Sequence, residues 1–256
     1  MSLGRYKAKL NLTIAGLLKH LGIENQPYAL KGFVYLDGTE PGFPTYTPPA
    51  GVRAIEVEVI GAGGGGGSAN GQNTTDDGYA GGGGGGGWAR AFITTLASSY
   101  TYAVGAGGAG GSSAATNPGA TGGTTSFTGG GVTVQATGGV GGDGVTATSS
   151  NAALAGVGGV GSLTGISGFV GGGVQGTRTR YLSTTNGQCS VAYKGYCPLI
   201  GMSGVRAYGA DGSGNATGSS ASLIGEGGNG AVSVNTASNF AGGDGFNGSI
   251  KITEYY

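Results

Sequence analysis

The chain has 256 residues, 64 of them Gly and 7 Pro, and only 9% are charged, with a formal net charge of zero. That balance removes the electrostatic case for a nucleic-acid binder, and no apolar run reaches the roughly 18 residues that would span a membrane. Composition this rich in glycine points by default to disorder or low complexity, but 38% of the residues are hydrophobic and sit in short alternating runs. Charge is as scarce as it is abundant in most disordered chains, so an ordered structure is expected.

Residues 1–50 differ from the rest, with 6 glycines and five of the twelve Lys/Arg residues. Leu10, Ile14, Leu17, Leu18 and Leu21 fit the stripe of a short helix that Gly22 would stop. Arg5, Lys7 and Lys9 ahead of this stripe imitate a signal peptide, yet Asn11 and Thr13 interrupt it and no small-residue cleavage site follows. A short strand is expected at Phe33-Val34-Tyr35-Leu36, then loop through Pro41, Pro44, Pro48 and Pro49. Fifty residues with one short helix bury little core alone. They read as a segment that docks on a partner or, in the alternative, as a cap on the domain that follows. A chain starting near Thr47 is expected to stay folded on the first reading.

Residues 51–256 form the second unit, built as strand, glycine block and variable segment in repetition. In VRAIEVEVIGAGGGGG, Ile55, Val57 and Val59 point one way and Glu56 and Glu58 the other, the period of a half-buried strand. Further strands are expected at 88–95, 100–104, 132–136 and 249–254, the last with Ile250 and Ile252 inward. Blocks fall at 61–67, 81–87, 105–111, 119–123, 129–131, 138–144, 156–161, 171–176, 225–230 and 242–248. A strand entering Gly-Ala-Gly also opens a dinucleotide site, but that site needs a helix next. Here Ser68 to Gly78 has no apolar period, so it is a loop.

Glycine runs can be ordered as left-handed extended helices with about three residues per turn, lying against one another and pairing their N–H and C=O groups. The expected fold class is therefore mainly β and irregular: a polyglycine-helix sandwich flanked by short strands, preceded by the small helix-bearing segment. Between Ala91 and Thr177 the only charged residue is Asp143, which suits an interior made of backbone. Trp88, the single Trp, starts a strand and reads as core or cap rather than a ligand platform.

The polar segments 68–80, 112–118, 145–155, 177–204 and 208–222 have the Asn, Ser, Thr and Tyr content of surface loops. Arg178 to Arg206 holds four basic residues, no acid, several tyrosines and both cysteines. Its Arg178, Arg180, Tyr181, Tyr193, Lys194 and Tyr196 supply broad aromatic area and charge-assisted donors. Asn73, Tyr79 and Tyr208 are further contact candidates on other loops. A hairpin through Ala192-Tyr193-Lys194 would set Cys189 across from Cys197, so a disulfide is expected outside a reducing cytoplasm, with free thiols as the alternative. The only histidine, His20, lies outside the glycine-rich part, and Asp76-Asp77 are adjacent and point apart. No triad, metal cluster or paired carboxylate emerges, so neither enzyme activity nor a cofactor or metal is expected.

The runs PPAGVRAIEVEVIGAGGGGG, GGGGGGGWARAFI, SYTYAVGAGGAGG and GGDGFNGSIKITEYY resemble the glycine-rich domain of bacteriophage tail-fibre proteins. The alternation of glycine blocks with polar segments over about residues 48–256 is similar to the tip adhesins of T-even-type long tail fibres. The resemblance implies a sandwich of polyglycine helices whose loops touch a host receptor, an outer-membrane protein or lipopolysaccharide. It implies a virion protein at the distal end of the fibre, made in the host cytoplasm and not inserted in a membrane. Residues 1–50 would attach it to the fibre, as a homotrimer or as a monomer on a trimeric fibre, although residues 1–47 do not match the attachment domain of those adhesins. The alternative is a structural polyglycine protein of antifreeze or matrix type, without receptor recognition. A regular Gly-X-X period would mark an ice binder, and these blocks vary in length and spacing.

Overall fold

The computed structural model describes residues 30–37, 45–148, 151–176, 180–184, 187–192, 206–209 and 215–256. The stripe at 10–21 lies outside them. The described part is mainly β and irregular, with no helix of the α type. Two five-stranded antiparallel sheets stand at one end. The first takes β1 (Leu30–Leu36), β19 (Ser249–Tyr255), β3 (Ala54–Ile60), β6 (Trp88–Ile93) and β13 (Gly168–Gly171) in that order. The second takes β12 (Gly161–Thr164), β9 (Val132–Ala136), β8 (Thr125–Gly129), β7 (Tyr100–Ala103) and β2 (Thr45–Tyr46).

Alternation decides which side of each strand is buried. Ile55, Val57 and Val59 on β3 and Ile250 and Ile252 on β19 are fully buried against Tyr100, Phe127 and Val134 of the second sheet. The Tyr100 and Phe127 rings stack at 4.6 Å, and Tyr46 packs beside them with centroids 6.0 Å from Phe127. The Tyr46 hydroxyl donates to Glu254 Oε1 at 2.9 Å inside this core. Residues 30–36 and 45–46 are thus strands of the two sheets, although the sequence set the glycine-rich unit to begin at 51. A chain cut at Thr47 would expose the edge of β19 and remove Tyr46 from the core.

Beyond the sheets, the backbone itself is the core. Gly61 to Gly67 are all buried, and their hydrogen bonds repeat every three residues. The N–H groups of Gly61, Gly64 and Gly67 donate to Gly87, Gly84 and Gly81. Those of Ala62, Gly65 and Ser68 donate to Gly123, Ala120 and Asn117, and those of Gly63 and Gly66 to Phe246 and Gly243. The carbonyls follow the same rule toward three other segments. Ala62 and Gly65 accept from Gly139 and Gly142, Gly63 and Gly66 from Gly108 and Gly111, and Gly64 and Gly67 from Gly228 and Ala231. Segment 61–68 therefore has six neighbours. It donates to three antiparallel segments and accepts from three parallel ones. A three-residue repeat is that of the extended polyproline-II type of helix.

Ten such segments are present among the described residues: 61–68, 80–87, 105–111, 117–123, 137–145, 153–160, 172–176, 216–221, 225–231 and 241–248. Nine correspond to blocks read from the sequence. The block at 129–131 does not: Gly130 and Gly131, with φ of 59° and 78°, form the two-residue turn of the β8–β9 hairpin. Segment 216–221, expected as loop, takes its place, with Gly218 and Ala221 donating to Ala241 and Asp244.

Among the glycines of these ten segments only Gly225 has a positive φ, so backbone conformation is not why these positions are glycine. Space is the reason. A Cβ at Gly64, Gly65 or Gly66 would lie within 3.0 Å of the carbonyl of Val140, Ala109 or Asn229 respectively. At the rim of the bundle only the inward positions carry this constraint. Segment 153–160 keeps Gly156 and Gly159 inward and turns Leu154, Val157 and Val160 outward, 59%, 53% and 59% exposed.

Gly84 donates to Val140, accepts from Gly64, and would carry a Cβ into the Val157 carbonyl. Gly84→Val should lower stability by about 3 kcal/mol or more, whereas Gly32→Ala, with nothing within 4 Å of its Cβ, should melt as the parent does. Comparable melting of both variants in thermal scans would refute backbone contact as the origin of the glycine requirement.

Tyr46→Phe removes the donor to a buried carboxylate and should cost about 1–3 kcal/mol. Burial, then the hydrogen bond to Glu254, raise the Tyr46 pKa above its ordinary 10.0, so the neutral phenol is the form the fold holds. Its contribution is full below about pH 10 and falls away as pH climbs toward the raised value. Chemical-denaturation curves should show a smaller alkaline loss of stability in Tyr46→Phe than in the parent.

Candidate functional site

Hydrogen-bond direction fixes which way each polyglycine segment runs. Segments 105–111, 137–145 and 225–231 lie parallel to 61–68, while 80–87, 117–123 and 241–248 lie antiparallel to it. Segment 153–160 runs against 137–145, and 172–176 runs against 153–160 in turn. Segment 216–221 runs with 241–248. Five segments therefore leave the sheets and five return. The described parts of the connections 69–79, 112–116, 146–152, 177–215 and 232–240 all belong to the end away from the sheets.

Short strands stitch three of these connections together. One sheet orders β10 (Val145–Thr146), β4 (Ala69–Asn70) and β18 (Asn239–Phe240), and another orders β11 (Asn151–Ala152), β5 (Asp77–Tyr79) and β17 (Val232–Val234). The connection at 112–116 is tied by side chains. Ser68 Oγ donates to the Ala115 carbonyl at 2.9 Å and accepts from Asn117 N–H at 2.8 Å, while Asn117 Nδ2 donates to Ser112 Oγ at 2.9 Å. The fifth connection carries its own antiparallel sheet of β14 (Arg180–Thr184), β15 (Gly187–Ala192) and β16 (Arg206–Gly209).

The sequence candidates fare differently. Asn73 is exposed, but its side chain shapes its own loop: Oδ1 accepts from Thr75 N–H and Asp76 N–H, both at 2.9 Å, and Nδ2 donates to Asp76 Oδ2 at 2.6 Å. Tyr79 is only 7% exposed and clusters with Val232 and Val234, its hydroxyl donating to Asp77 Oδ2 at 3.2 Å. It holds the connections together from below and presents no ring to a partner. Tyr181 on β14 and Tyr208 on β16 both stand opposite Ser190 of β15, and Arg180 stands opposite Val191 in the next row. The small sheet thus brings into one register residues 27 positions apart in sequence. Cys189 stands between Leu182 and Gly209. Arg178, Tyr193, Lys194, Tyr196 and Cys197 lie outside the described residues.

One connection escaped the sequence reading. Residues 232–240 end in the polar run Asn235-Thr236-Ala237-Ser238-Asn239, the only such run between the last two glycine blocks. Asn235 takes a positive φ of 49° and donates its N–H to the Asp76 carbonyl at 3.1 Å, which joins this tip to the Asn73 loop. Four of the five connections contain no Lys or Arg. Among the described residues of these connections, the only Lys or Arg are Arg180 and Arg206.

The described geometry provides a surface of polar loops, one of them carrying Asp76 and Asp77, with an insertion that is basic and tyrosine-bearing in sequence, supported by a backbone scaffold. No match is found among curated proteins. The family model for the glycine-rich domain matches residues 39–255, a span that takes in β2, every polyglycine segment and all of β19. The chain belongs to the glycine-rich domain family.

Proposed function

We propose that this chain is a receptor-binding tip protein of a bacteriophage tail fibre, which recognises a bacterial outer-surface receptor through the connections at the end away from the sheets. One observation carries the reading: four connections of differing length, 69–79, 112–116, 146–152 and 232–240, are joined in their described parts at the end of a scaffold whose own N–H and C=O groups are committed to each other. Such a scaffold has few groups left with which to discriminate partners, so recognition falls to the loops. The resemblance of the glycine-block pattern to tail-fibre proteins supplies the biological setting. An outer-membrane protein or lipopolysaccharide is the receptor class, and the part of the N-terminal segment 1–50 that precedes β1 joins the chain to the fibre.

The insertion at 177–215 is the leading contact. It alone among the five connections contains arginine and lysine, and arginine pairs bidentately with carboxylate or phosphate. Tyrosine adds broad contact area at small entropy cost. Arg180, Tyr181 and Tyr208 share neighbouring rows of one sheet, and Tyr193, Lys194 and Tyr196 follow β15 directly in sequence.

Purified chain should compete with virions for adsorption to host cells. Tyr193→Ala or Tyr196→Ala should weaken that competition by about tenfold or more while the melting temperature holds, as for an interface anchor. Undiminished competition after replacing 177–197 by an unrelated loop would remove the insertion as the contact. Failure of the intact chain to compete at all would remove the adhesin reading.

A further inference from the structure

The outer face of the first sheet carries a second arrangement of side chains, at the end opposite the loops. Register places its outward residues in rows that cross the strands. One row runs Phe33, Thr253, Glu56, Phe92, and the next runs Tyr35, Lys251, Glu58, Arg90, Phe169. The centre is polar and internally neutralised. Glu56 pairs with Arg90 and accepts from the Tyr255 hydroxyl at 3.1 Å, while Glu58 lies 3.5 Å from Arg90 and 3.6 Å from Lys251. Aromatic rings flank this centre on both sides: Phe33 and Tyr35 are 63% and 60% exposed, Phe92 and Phe169 41% and 71%. Between Phe92 and Phe169 opens a cleft of about 340 Å³, floored by Glu56, Arg90 and Ser167.

We propose that this face binds a neutral oligosaccharide laid across the strands. A protein interface generally puts apolar side chains at its centre and polar ones at its rim, and here the order is reversed. Two carboxylates balanced by one guanidinium and one ammonium offer no net charge to an anionic or cationic partner. A pyranose ring suits both parts. Its C–H face covers an aromatic ring, and its hydroxyls both donate to carboxylates and accept from arginine and lysine. Three interstrand gaps separate Phe33 from Phe92, about 14 Å at ~4.8 Å each, which is close to three sugar units at roughly 5 Å apiece. The inference does not depend on the loop reading, because the two sites lie at opposite ends of the bundle.

Trp88, the only tryptophan, lies on this same face with its indole against Gly171, so its emission reports occupancy. The intact chain is titrated with cellohexaose, maltohexaose, chitohexaose and mannohexaose while Trp88 fluorescence is followed, with calorimetry as a second readout. At least one hexaose should bind saturably, and Phe33→Ala and Phe169→Ala should each weaken it by about tenfold. Both rings are well exposed, so melting temperatures should stay with the parent, and exchange of the 177–197 loop should leave the titration unchanged. Absence of saturable binding for all four sugars overturns the proposal, as does equal binding by the parent and both variants. A dimer in sedimentation that Phe169→Ala dissociates would also overturn it, by assigning the face to a second copy.

Discussion

Direct contact between backbones is the constraint on which the rest of this structure depends. Segment 61–68 bonds to six others, and at each of its glycines a neighbour's carbonyl occupies the space that a Cβ would need. In an ordinary domain the main chain satisfies its hydrogen bonds within elements, and side chains then join the elements together. Here the same bonds do both. Each contributes only about 0.5–1.5 kcal/mol net, but they recur at every residue of the buried segments, and burying any one of these groups unpaired would be penalised. Two sheets with a conventional side-chain core close one end, so that apolar burial by Ile55, Val57, Phe127 and Ile252 anchors the start and finish of the polyglycine segments.

A lattice of this kind has to stop, and side chains stop it. Gly107 and Gly110 on the rim donate to Asn247 Oδ1 at 2.9 Å and Asp244 Oδ1 at 2.7 Å, where an inner segment would have met another carbonyl. Thr125 Oγ1 does the same for Gly105 at 3.0 Å, and Glu226 Oε2 accepts from Ser222 and Leu223 N–H at 2.7 and 3.1 Å. These polar residues sit among glycines because a side-chain oxygen is a substitute acceptor of the right reach. The logic parallels the capping of helix ends and the protection of sheet edges, transferred to a different repeat.

The strands were legible wherever one side is buried and the other wet. Ala54–Ile60 and Ser249–Tyr255 show period two in sequence and in burial. The inner glycine segments were legible because nearly every position is Gly. Composition failed at the margins. Three glycines at 129–131 make a turn rather than a segment, since a reversal between β8 and β9 needs two positive φ values. Ala216 to Ala221 makes a segment with one glycine, because only Gly218 faces a neighbour closely enough to exclude a Cβ. Of the site, the sequence revealed which stretches are variable and where the basic residues lie. It did not reveal that Tyr79 is buried, since its partners Val232 and Val234 are more than 150 positions away and meet it only through the β5–β17 ladder.

The backbone interior also changes how stability should respond to temperature. Unfolding an ordinary domain wets mainly apolar surface, which raises the heat capacity by about 12–15 cal/mol/K per residue, whereas wetting polar surface lowers it. In the polyglycine part the groups released to water are peptide N–H and C=O, with little hydrocarbon attached. The heat-capacity increment per residue should therefore be small and the stability curve flat. A flat curve loses little on cooling, because the fading of hydrophobic driving force at low temperature has little here to act on.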